Sequence, residues 1–599
     1  MNNVILTMPL ILILMGGLLI FLPKMTSKIT LLIITVAMPI IFGLYMSMSG
    51  SISFDWLGDG SIVLGLALSK TKLLFFGMVW FSLFVYSIAN LSSNIKEEGK
   101  ILLTAGGMGL AIFASDFVTL FIGWEIMSWS SYLPILSRGR DVKAARRYLV
   151  YSLVGAAALL TGVLILGTSS GFSMADFQFT KGAYVSIPFF MIGFLIKSGI
   201  MPLHRWVPSV YNEATDLFSG FLSGALSKVG IYGLVLLFTL FPHSSLQLFP
   251  LMGWLGTITA LFGTLRAIRE IEMKRLLAWS SVAQVGYIVA AFGLGTAEGI
   301  SSGLYHAIIH TIIKVLLFTI VAGVIARTGK TRFDQLGGLI YKMPFSFIAV
   351  LIGIISLAGM PPLGGFASKW AIYSAMLNSG KVLQLVVIIA ASTAAFIYVY
   401  KLIYGIFLGQ PTEVNPDDVK EISIGYRVGV IIPLILLIIT GMFPSLVYNI
   451  INPVIIESGF TGVVQSSSHI LASAFGEYNG FVVISVFGGV FALILLLFSL
   501  SKTKSRDLHR LDIAYAAETP KESYPLHYGH GMGRELTRIP FIGFWLSKST
   551  KGFYKYIHSL MNQGASLVRV FYTGDISTFF YALFVGVVVF WFIITGGKA

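Results

Sequence analysis

Cysteine is missing from all 599 residues. Its absence excludes disulfides, thiolate-ligated iron–sulfur clusters and c-type haem attachment within this chain. Electrons of any redox reaction the protein serves must therefore travel through another subunit. Charge is scarce as well. Asp, Glu, Lys and Arg make up 11 % of the residues, against about 25 % in soluble domains, which is too little to cover a soluble surface. Ten-residue stretches of alternating polarity, the mark of membrane-spanning strands, are not visible either. What the chain does have is apolar surface: 56 % of it is hydrophobic and 14 % aromatic. Apolar runs of about 20 residues recur from end to end, each long enough to cross a bilayer core as a helix. The expected fold class is an all-α polytopic membrane protein.

The runs predict spans near 3–23, 29–48, 73–92, 101–115, 117–137, 148–169, 187–210 and 217–240, then 250–265, 276–295, 304–326, 343–378, 382–400, 428–449, 480–500 and 576–596. That is about sixteen transmembrane helices. The first run lacks a basic n-region and an A-x-A-like cleavage site, and its positive charges, Lys24 and Lys28, follow it. It reads as a retained helix rather than a signal peptide. The net charge of +15 invites a nucleic-acid reading. However, most Lys and Arg fall in the odd-numbered loops between these spans and few in the even-numbered ones. The positive-inside rule then places odd loops in the cytoplasm and both termini outside. The basicity reflects topology, and no nucleic-acid partner is expected.

Several charges lie where an apolar helix has no use for them. Glu125 sits mid-span in FVTLFIGWEIMSWSSYLPIL, Lys197 in FFMIGFLIKSGIMPLHRW and Lys228 in FSGFLSGALSKVGIYGLVLL. His306, His310 and Lys314 share the eleventh span in HAIIHTIIKVLLF, and Lys369 follows a proline pair in GMPPLGGFASKW. A charge at the middle of a span costs roughly 2.5–3.5 kcal/mol on insertion scales, so such residues face the bundle interior and mark ion paths by default. Each also has a plainer reading. Lys197 and Lys369 could snorkel from a helix end, Glu125 could brace a lysine, and the histidines could simply hydrogen-bond neighbouring helices. Lys228 and Lys314 are too central to snorkel. One acid, four lysines and two histidines together favour the ion path. At 100° per residue, positions 306, 310 and 314 drift about 40° per step and line one face at roughly 6 Å intervals. A water molecule can bridge that spacing, histidine titrates near neutrality, and desolvation loosens a lysine's proton. The run reads as a proton relay.

Two spans carry an interior proline in related settings. The seventh reads IPFFMIGFLIKSGIMPLHRW and breaks at Pro202; the twelfth reads MPFSFIAVLIGIISLAGMPPLGGF and breaks at Pro361 and Pro362. Proline removes a helix hydrogen bond, and paired broken spans in corresponding halves point to inverted repeats around a midplane ion path. The two breaks are five spans apart and so run in opposite senses. Spans 4–8 and 9–13 are the expected inverted copies.

GWEIMS, IKSGIMPLHRWVP, SGALSKVGIYG, EMKRLLAWSSVAQVGY, HAIIHTIIKVLLF and GMPPLGGFASKW occur in this order over residues 100–410. The ordered set resembles the antiporter-like subunits of respiratory complex I, with relatives in Mrp-type cation/proton antiporters and in membrane-bound hydrogenase and sulfur-reducing complexes. The resemblance implies a core of fourteen helices with inverted five-helix repeats and broken seventh and twelfth helices. It implies Glu125 and Lys197 as the charged pair of the first half-channel and Lys228 as the connecting residue. His306, His310 and Lys314 would continue the path, Lys369 would be the charge of the second broken helix, and His204 would stand near a hydrated cytoplasmic entrance. Two features depart from the family pattern. Glu213 and Asp216 add acidity after the seventh span, and Glu272 stands where aspartate is common before Lys274 and Arg275.

The expected organisation is three N-terminal spans over 1–100, a first half-channel over 101–240 and a second over 250–410. Two further spans lie in 411–500, a basic cytoplasmic segment in 501–575 and a last span in 576–599. Residues 501–575 hold 11 Lys or Arg and the breakers Pro520, Pro525 and Pro540. Even a helix over 541–575 reaches only about 50 Å at 1.5 Å per residue, short for the lateral arm of complex I's distal subunit. By resemblance, the closing VFYTGDISTFFYALFVG looks more like the hydrogenase and sulfur-reducing types. HYGHGMGRE follows no strand of a βαβ unit, so it is not read as a nucleotide fingerprint. His527 and His530 lack nearby partners for a metal site.

The resulting expectation is a proton- or sodium/proton-translocating subunit in the cell membrane, with no metal or cofactor of its own. Its expected partners are other antiporter-like and small membrane subunits, and peripheral redox subunits carrying iron–sulfur or nickel–iron centres. A stand-alone Mrp-type antiporter, a complex I subunit and a purely structural scaffold are the alternatives.

Overall fold

The computed structural model describes residues 3–45, 51–55, 63–137, 142–177, 179–241, 248–409, 413–462, 469–473 and 476–500, with residue 559. Residues 1–530 form one compact unit and 531–599 a second. The basic segment 501–575, its HYGHGMGRE stretch and the expected span 576–596 lie outside the described residues, save residue 559.

Helices dominate because the apolar runs leave backbone groups no water to bond, and a helix satisfies them internally. The N-terminal helices are α1 (Asn3–Phe21), α2 (Lys24–Tyr45) and α3 (Lys70–Asn90). The first half continues with α4 (Glu98–Phe113), α5 (Phe117–Ser137), α6 (Val142–Ser170), α7 (Lys181–Ser198), α8 (Trp206–Glu213), α9 (Asp216–Phe221) and α10 (Ser227–Leu240). The second half contains α11 (Phe249–Arg269), α12 (Met273–Phe292), α13 (Ala297–Thr328), α14 (Pro344–Ala358), α15 (Gly364–Asn378) and α16 (Val382–Ile403). Then follow α17 (Ile424–Met442), α18 (Pro444–Glu457) and α19 (Gly480–Leu500). Nine helical segments among the described residues are long and apolar enough to cross a membrane.

The structure differs from the apolar-run reading in two places. The expected span 428–449 is divided at Phe443, where Pro444 opens α18. A proline fits a first helical position because no intrahelical partner awaits its missing N–H. Two antiparallel hairpins also occur. β1 (Ser51–Asp55) pairs with β2 (Val63–Ala67), and β3 (Ile470–Ser473) pairs with β4 (Gly476–Asn479).

Both expected breaks are present. α7 ends at Gly199 (φ 78°) and α14 at Gly359 (φ 80°), left-handed positions that glycine adopts without a Cβ clash. Each break places that glycine three residues ahead of a proline, Pro202 or Pro362. The closing bonds also match: Ile200 N–H donates to Leu195 C=O and Met360 N–H to Ile355 C=O. Helices α4 and α5, and likewise α11 and α12, lie backbone to backbone. A Cβ on Gly123 would stand 2.3 Å from Ala111 N, and one on Gly256 would stand 2.2 Å from Ala290 N. Small residues permit such approach where lipid offers no hydrophobic drive for helix association. At the centre runs α13, packed on α3, α9, α12, α14, α15, α17 and α18. α6 and α16 instead turn Val150, Leu153, Leu160, Val382, Val386 and Ile389 outward, as lipid-facing helices do.

Candidate ion-translocation site

The first cluster forms where α5, α6 and α7 meet. Lys197, in the last turn of α7, is buried. Its Nζ donates to Ser128 Oγ at 3.0 Å and to the Tyr148 hydroxyl at 3.1 Å. It also lies over the rings of Tyr148 and Trp124 at 5.3 and 5.6 Å, positions favourable to a cation. Glu125 instead accepts from Trp129 Nε1 at 3.1 Å, and its Oε1 has no partner among the described residues. The expected Glu125–Lys197 pair is therefore not in direct contact. Ser128, one turn from Glu125 on α5, takes the ammonium's hydrogen bond in its place.

Lys228 stands at the junction. It is the second residue of α10, which follows directly on a π-turn over Leu222–Leu226. A π-turn releases carbonyls from the helix ladder, and side chains take up three of them. Tyr211 donates to Leu222 C=O at 3.1 Å, Lys228 to Ser223 C=O at 2.8 Å and Thr311 to Gly224 C=O at 3.0 Å. Lys228 Nζ also lies 2.7 Å from His310 Nδ1. That contact joins α10, the last helix of the first half, to α13 in the second.

His306, His310 and Lys314 are all buried on α13, but each takes its partner from a different neighbour. His310 meets Lys228, and its Nε2 has no partner among the described residues. His306 bonds Gln284 Oε1 of α12 through Nε2 at 2.8 Å, and Ser368 Oγ of α15 through Nδ1 at 3.0 Å. Lys314 donates to Leu277 C=O at 3.0 Å and Ser280 Oγ at 2.5 Å, both on α12. The shared face read from the spacing fans out into three contacts.

Lys369, on α15, folds back over the second break. It donates to the Leu357 and Ala358 carbonyls at 3.1 and 2.9 Å and to Ser392 Oγ at 3.0 Å, with the Tyr287 ring 5.0 Å away. The last carbonyls of α14 carry the negative end of its dipole, and the amine answers both that charge and their lost partners. At the first break the equivalent service comes from Trp206, whose Nε1 donates to Ile196 C=O at 2.8 Å. His204 is buried between the rings of Phe262 and Trp279, and its Nδ1 makes no hydrogen bond among the described residues.

Of the residues that depart from the family pattern, Asp216 has a charged side-chain partner, whereas Glu272 Oε2 is buried with none among the described residues. Asp216 pairs with Lys274 at 2.9 Å and fastens the start of α9 to α12. Glu272 forms a backbone bridge with Arg332. Just ahead of α4, Glu97 is buried and accepts the Thr215 hydroxyl, and burial pushes its carboxyl up to about 7. No group of three His, Asp or Glu that could hold a metal gathers among the described residues.

Sequence reading missed the neutral partners: Ser128, Tyr148, Ser223, Gln284, Ser280, Ser368 and Ser392. For some, a signal existed. Ser128 lies one turn from Glu125, Gln284 is an amide inside an apolar span, and Ser368 adjoins Lys369. Tyr148 and Ser392 carried none.

Comparison with known proteins shows what the chain is similar to. Residues 114–397 match the family described as NADH:quinone oxidoreductase/Mrp antiporter, TM. The Na(+)/H(+) antiporter subunit A1 of Staphylococcus epidermidis is 29 % identical in an alignment 464 positions long that covers 70 % of this chain and 56 % of that protein. Hydrogenase-4 component B of Escherichia coli is 29 % identical in an alignment 380 positions long that covers 56 % of each chain. The chain thus spans about half the length of these curated relatives. Among solved structures, a chain of the membrane-bound sulfane sulfur reductase, an archaeal respiratory membrane complex, is 28 % identical with a TM-score of 0.81. That match covers 98 % of this chain and 99 % of the other.

Proposed function

From the match of residues 114–397 to the family described as NADH:quinone oxidoreductase/Mrp antiporter, TM, we propose that the chain moves protons, or exchanges them for sodium, within a redox-driven complex. The observation that carries this reading is the Lys228–His310 contact at 2.7 Å, which connects two sets of buried charges across the junction between halves. The sulfur-reductase or hydrogenase type is the favoured setting, because the archaeal sulfane sulfur reductase chain is matched over nearly the full length of both. An Mrp-type antiporter is the second reading, supported by the 29 % identity to an Na(+)/H(+) antiporter subunit.

In this reading α4–α10 and α11–α16 are inverted five-span repeats within a fourteen-helix core. The matching closures at Gly199 and Gly359 support it. A buried ammonium is cheapest beside a carboxylate. Swinging Glu125 towards Lys197 therefore holds the charge there, and swinging it away releases a proton towards Lys228. Lys228 hands it to His310. His306, Ser368 and Lys369 carry it to the exit, with Lys314 on the same helix setting the local charge. His204 stands at the cytoplasmic entrance. Both termini face outward from the cell membrane and 501–575 lies in the cytoplasm. Iron–sulfur or nickel–iron centres reside in peripheral partners, and further antiporter-like and small subunits complete the membrane arm.

The test is ion movement by the assembled complex in sealed vesicles, with its partners identified by mass spectrometry. Lys228→Met should reduce electron-driven ion movement by about a hundredfold while assembly persists. Parental pumping by that variant rejects the path. Recovery of small membrane subunits alone, with exchange that needs no electron donor, favours the antiporter.

A further inference from the structure

Helix α6 is 29 residues long, or about 43 Å at 1.5 Å per residue. That matches a bilayer with its headgroup layers, about 40–45 Å, rather than the apolar core alone. Its first two turns therefore stand among headgroups, and its surface changes character where the core begins. Lys143 and Arg146 are exposed and Arg147 is half-buried. Beyond them Val150, Leu153 and Val154 face outward. The positive-inside reading puts this end of α6 at the cytoplasmic leaflet.

A second segment brings charge to the same level. Arg205 is exposed in the short helical turn that follows the first break. Arg205 and Arg147 are the charges that act on Tyr151, one turn beyond Arg147 on α6. Two guanidiniums from separate segments thus converge on one phenol, close to the positive dipole end of α6. A phosphodiester fits this set. Guanidiniums bind phosphate oxygens through paired N–H donors, and the phenol adds an O–H. Basic clusters between helices on the cytoplasmic side attract anionic headgroups. A soluble anion would use the charges but not the apolar border at Val150 and Val154, which acyl chains cover.

We propose that the junction of α6 with the segment after the first break binds the headgroup of an anionic phospholipid, through Arg147, Arg205 and Tyr151 with Lys143 and Arg146 at the rim. The site borders the first cluster. Tyr148, next to Arg147, accepts from Lys197, and Trp206, next to Arg205, donates to Ile196 C=O. A headgroup bridging the two arginines holds together the segments that surround Lys197. The effect on ion movement rests on the reading above, whereas the binding does not.

The experiment titrates the delipidated full complex with short-chain phosphatidylglycerol and counts bound lipid by native mass spectrometry. Ion movement is measured in phosphatidylcholine vesicles with and without phosphatidylglycerol. The parent should prefer phosphatidylglycerol, and ion movement should rise in its presence. Arg147→Gln with Arg205→Gln should bind one phosphatidylglycerol about thirtyfold more weakly, as loss of two charges from a membrane-surface patch predicts, and should lose the rise. Arg147→Lys with Arg205→Lys keeps the charge and should keep the preference. Lys342→Gln with Lys420→Gln removes two exposed charges elsewhere and should change neither readout. Equal binding by the parent and the Arg147→Gln, Arg205→Gln variant overturns the proposal. So does an equal gain from inorganic phosphate in phosphatidylcholine vesicles, which would mean a soluble anion, or a photocross-linker at position 146 that captures a partner subunit instead of lipid. A rise that persists in the glutamine variant overturns the link to Lys197. Failure of the relay reading is separate, because it shows as ion movement that survives Lys228→Met, whatever lipid is bound.

Discussion

Lys228 Nζ and His310 Nδ1 lie 2.7 Å apart although 82 residues separate them in the chain. Both side chains are buried, so each is the other's main means of holding or passing a proton. Residues that act as a unit are strongly non-additive. Lys228→Met and His310→Leu should each reduce ion movement by about a hundredfold, within the range of positioned proton-transfer groups. The double variant should be no worse than the worse single one. A double-mutant cycle on vesicle transport checks this, and losses that multiply would show two independent roles.

Lys369 occupies the Leu357 and Ala358 carbonyls at the second break. Lys369→Met leaves the Leu357 carbonyl without a partner among the described residues, at about 1–3 kcal/mol for a buried unsatisfied group, while the Ala358 carbonyl keeps the Ser392 hydroxyl at 3.3 Å. Trp206→Phe removes a single bond, to Ile196 C=O, which also accepts from Gly199 N–H. The lysine variant should therefore lower the thermal midpoint of the complex more than the tryptophan variant. The opposite order would mean that Lys369 does not support the break.

Glu97 should make stability fall as pH rises. Burial lifts its carboxyl from 4.5 to about 7, so the folded state holds this proton more tightly than the unfolded one. Below about 4.5 both states are protonated and burial costs nothing through this group. Between 4.5 and 7 the unfolded state gives up the proton first, and stability drops. Above 7 the full cost remains, about 3 kcal/mol by linkage. Glu97→Gln should remove that slope and raise the thermal midpoint at pH 8 above the parent's. Parallel pH profiles of the two proteins would contradict it.

Glu421 caps the broken helix α14 from a loop 75 residues away. It accepts from Phe345 N–H at 2.9 Å, Ser346 N–H at 3.3 Å and Ser346 Oγ at 2.5 Å. A carboxylate at a helix N-terminus meets orphan donors and the positive dipole end. Glu421→Ala should cost about 1–2 kcal/mol, typical of a lost cap, and Glu421→Gln less. Thermal unfolding of the three proteins decides the order.

Much of the candidate site was legible in the sequence, because a charge inside an apolar span stands out against its surroundings. Lys197, Lys228, His306, His310, Lys314 and Lys369 are all buried, as their insertion cost demands. Their partners were not legible. Glu125 is opposite in charge to Lys197, which invites a direct pair, yet serine and tyrosine hydroxyls hold the lysine. Hydroxyl-bearing residues are common in spans, and nothing in their spacing marks the few that touch a charge.

Hydropathy and two proline breaks determined that this chain is a bundle of helices with two interrupted ones, since lipid leaves the backbone no other way to satisfy its hydrogen bonds. The 3.6-residue period determined that His306, His310 and Lys314 share a face of α13. Only the tertiary structure decided what each one meets, because a contact such as Lys228 with His310 depends on how helices distant in sequence are rotated and stacked. That rotation is set by close backbone approaches, as at Gly123 and Gly256, and by a π-turn that aims Lys228 at α13. Neither leaves a periodic trace in the sequence.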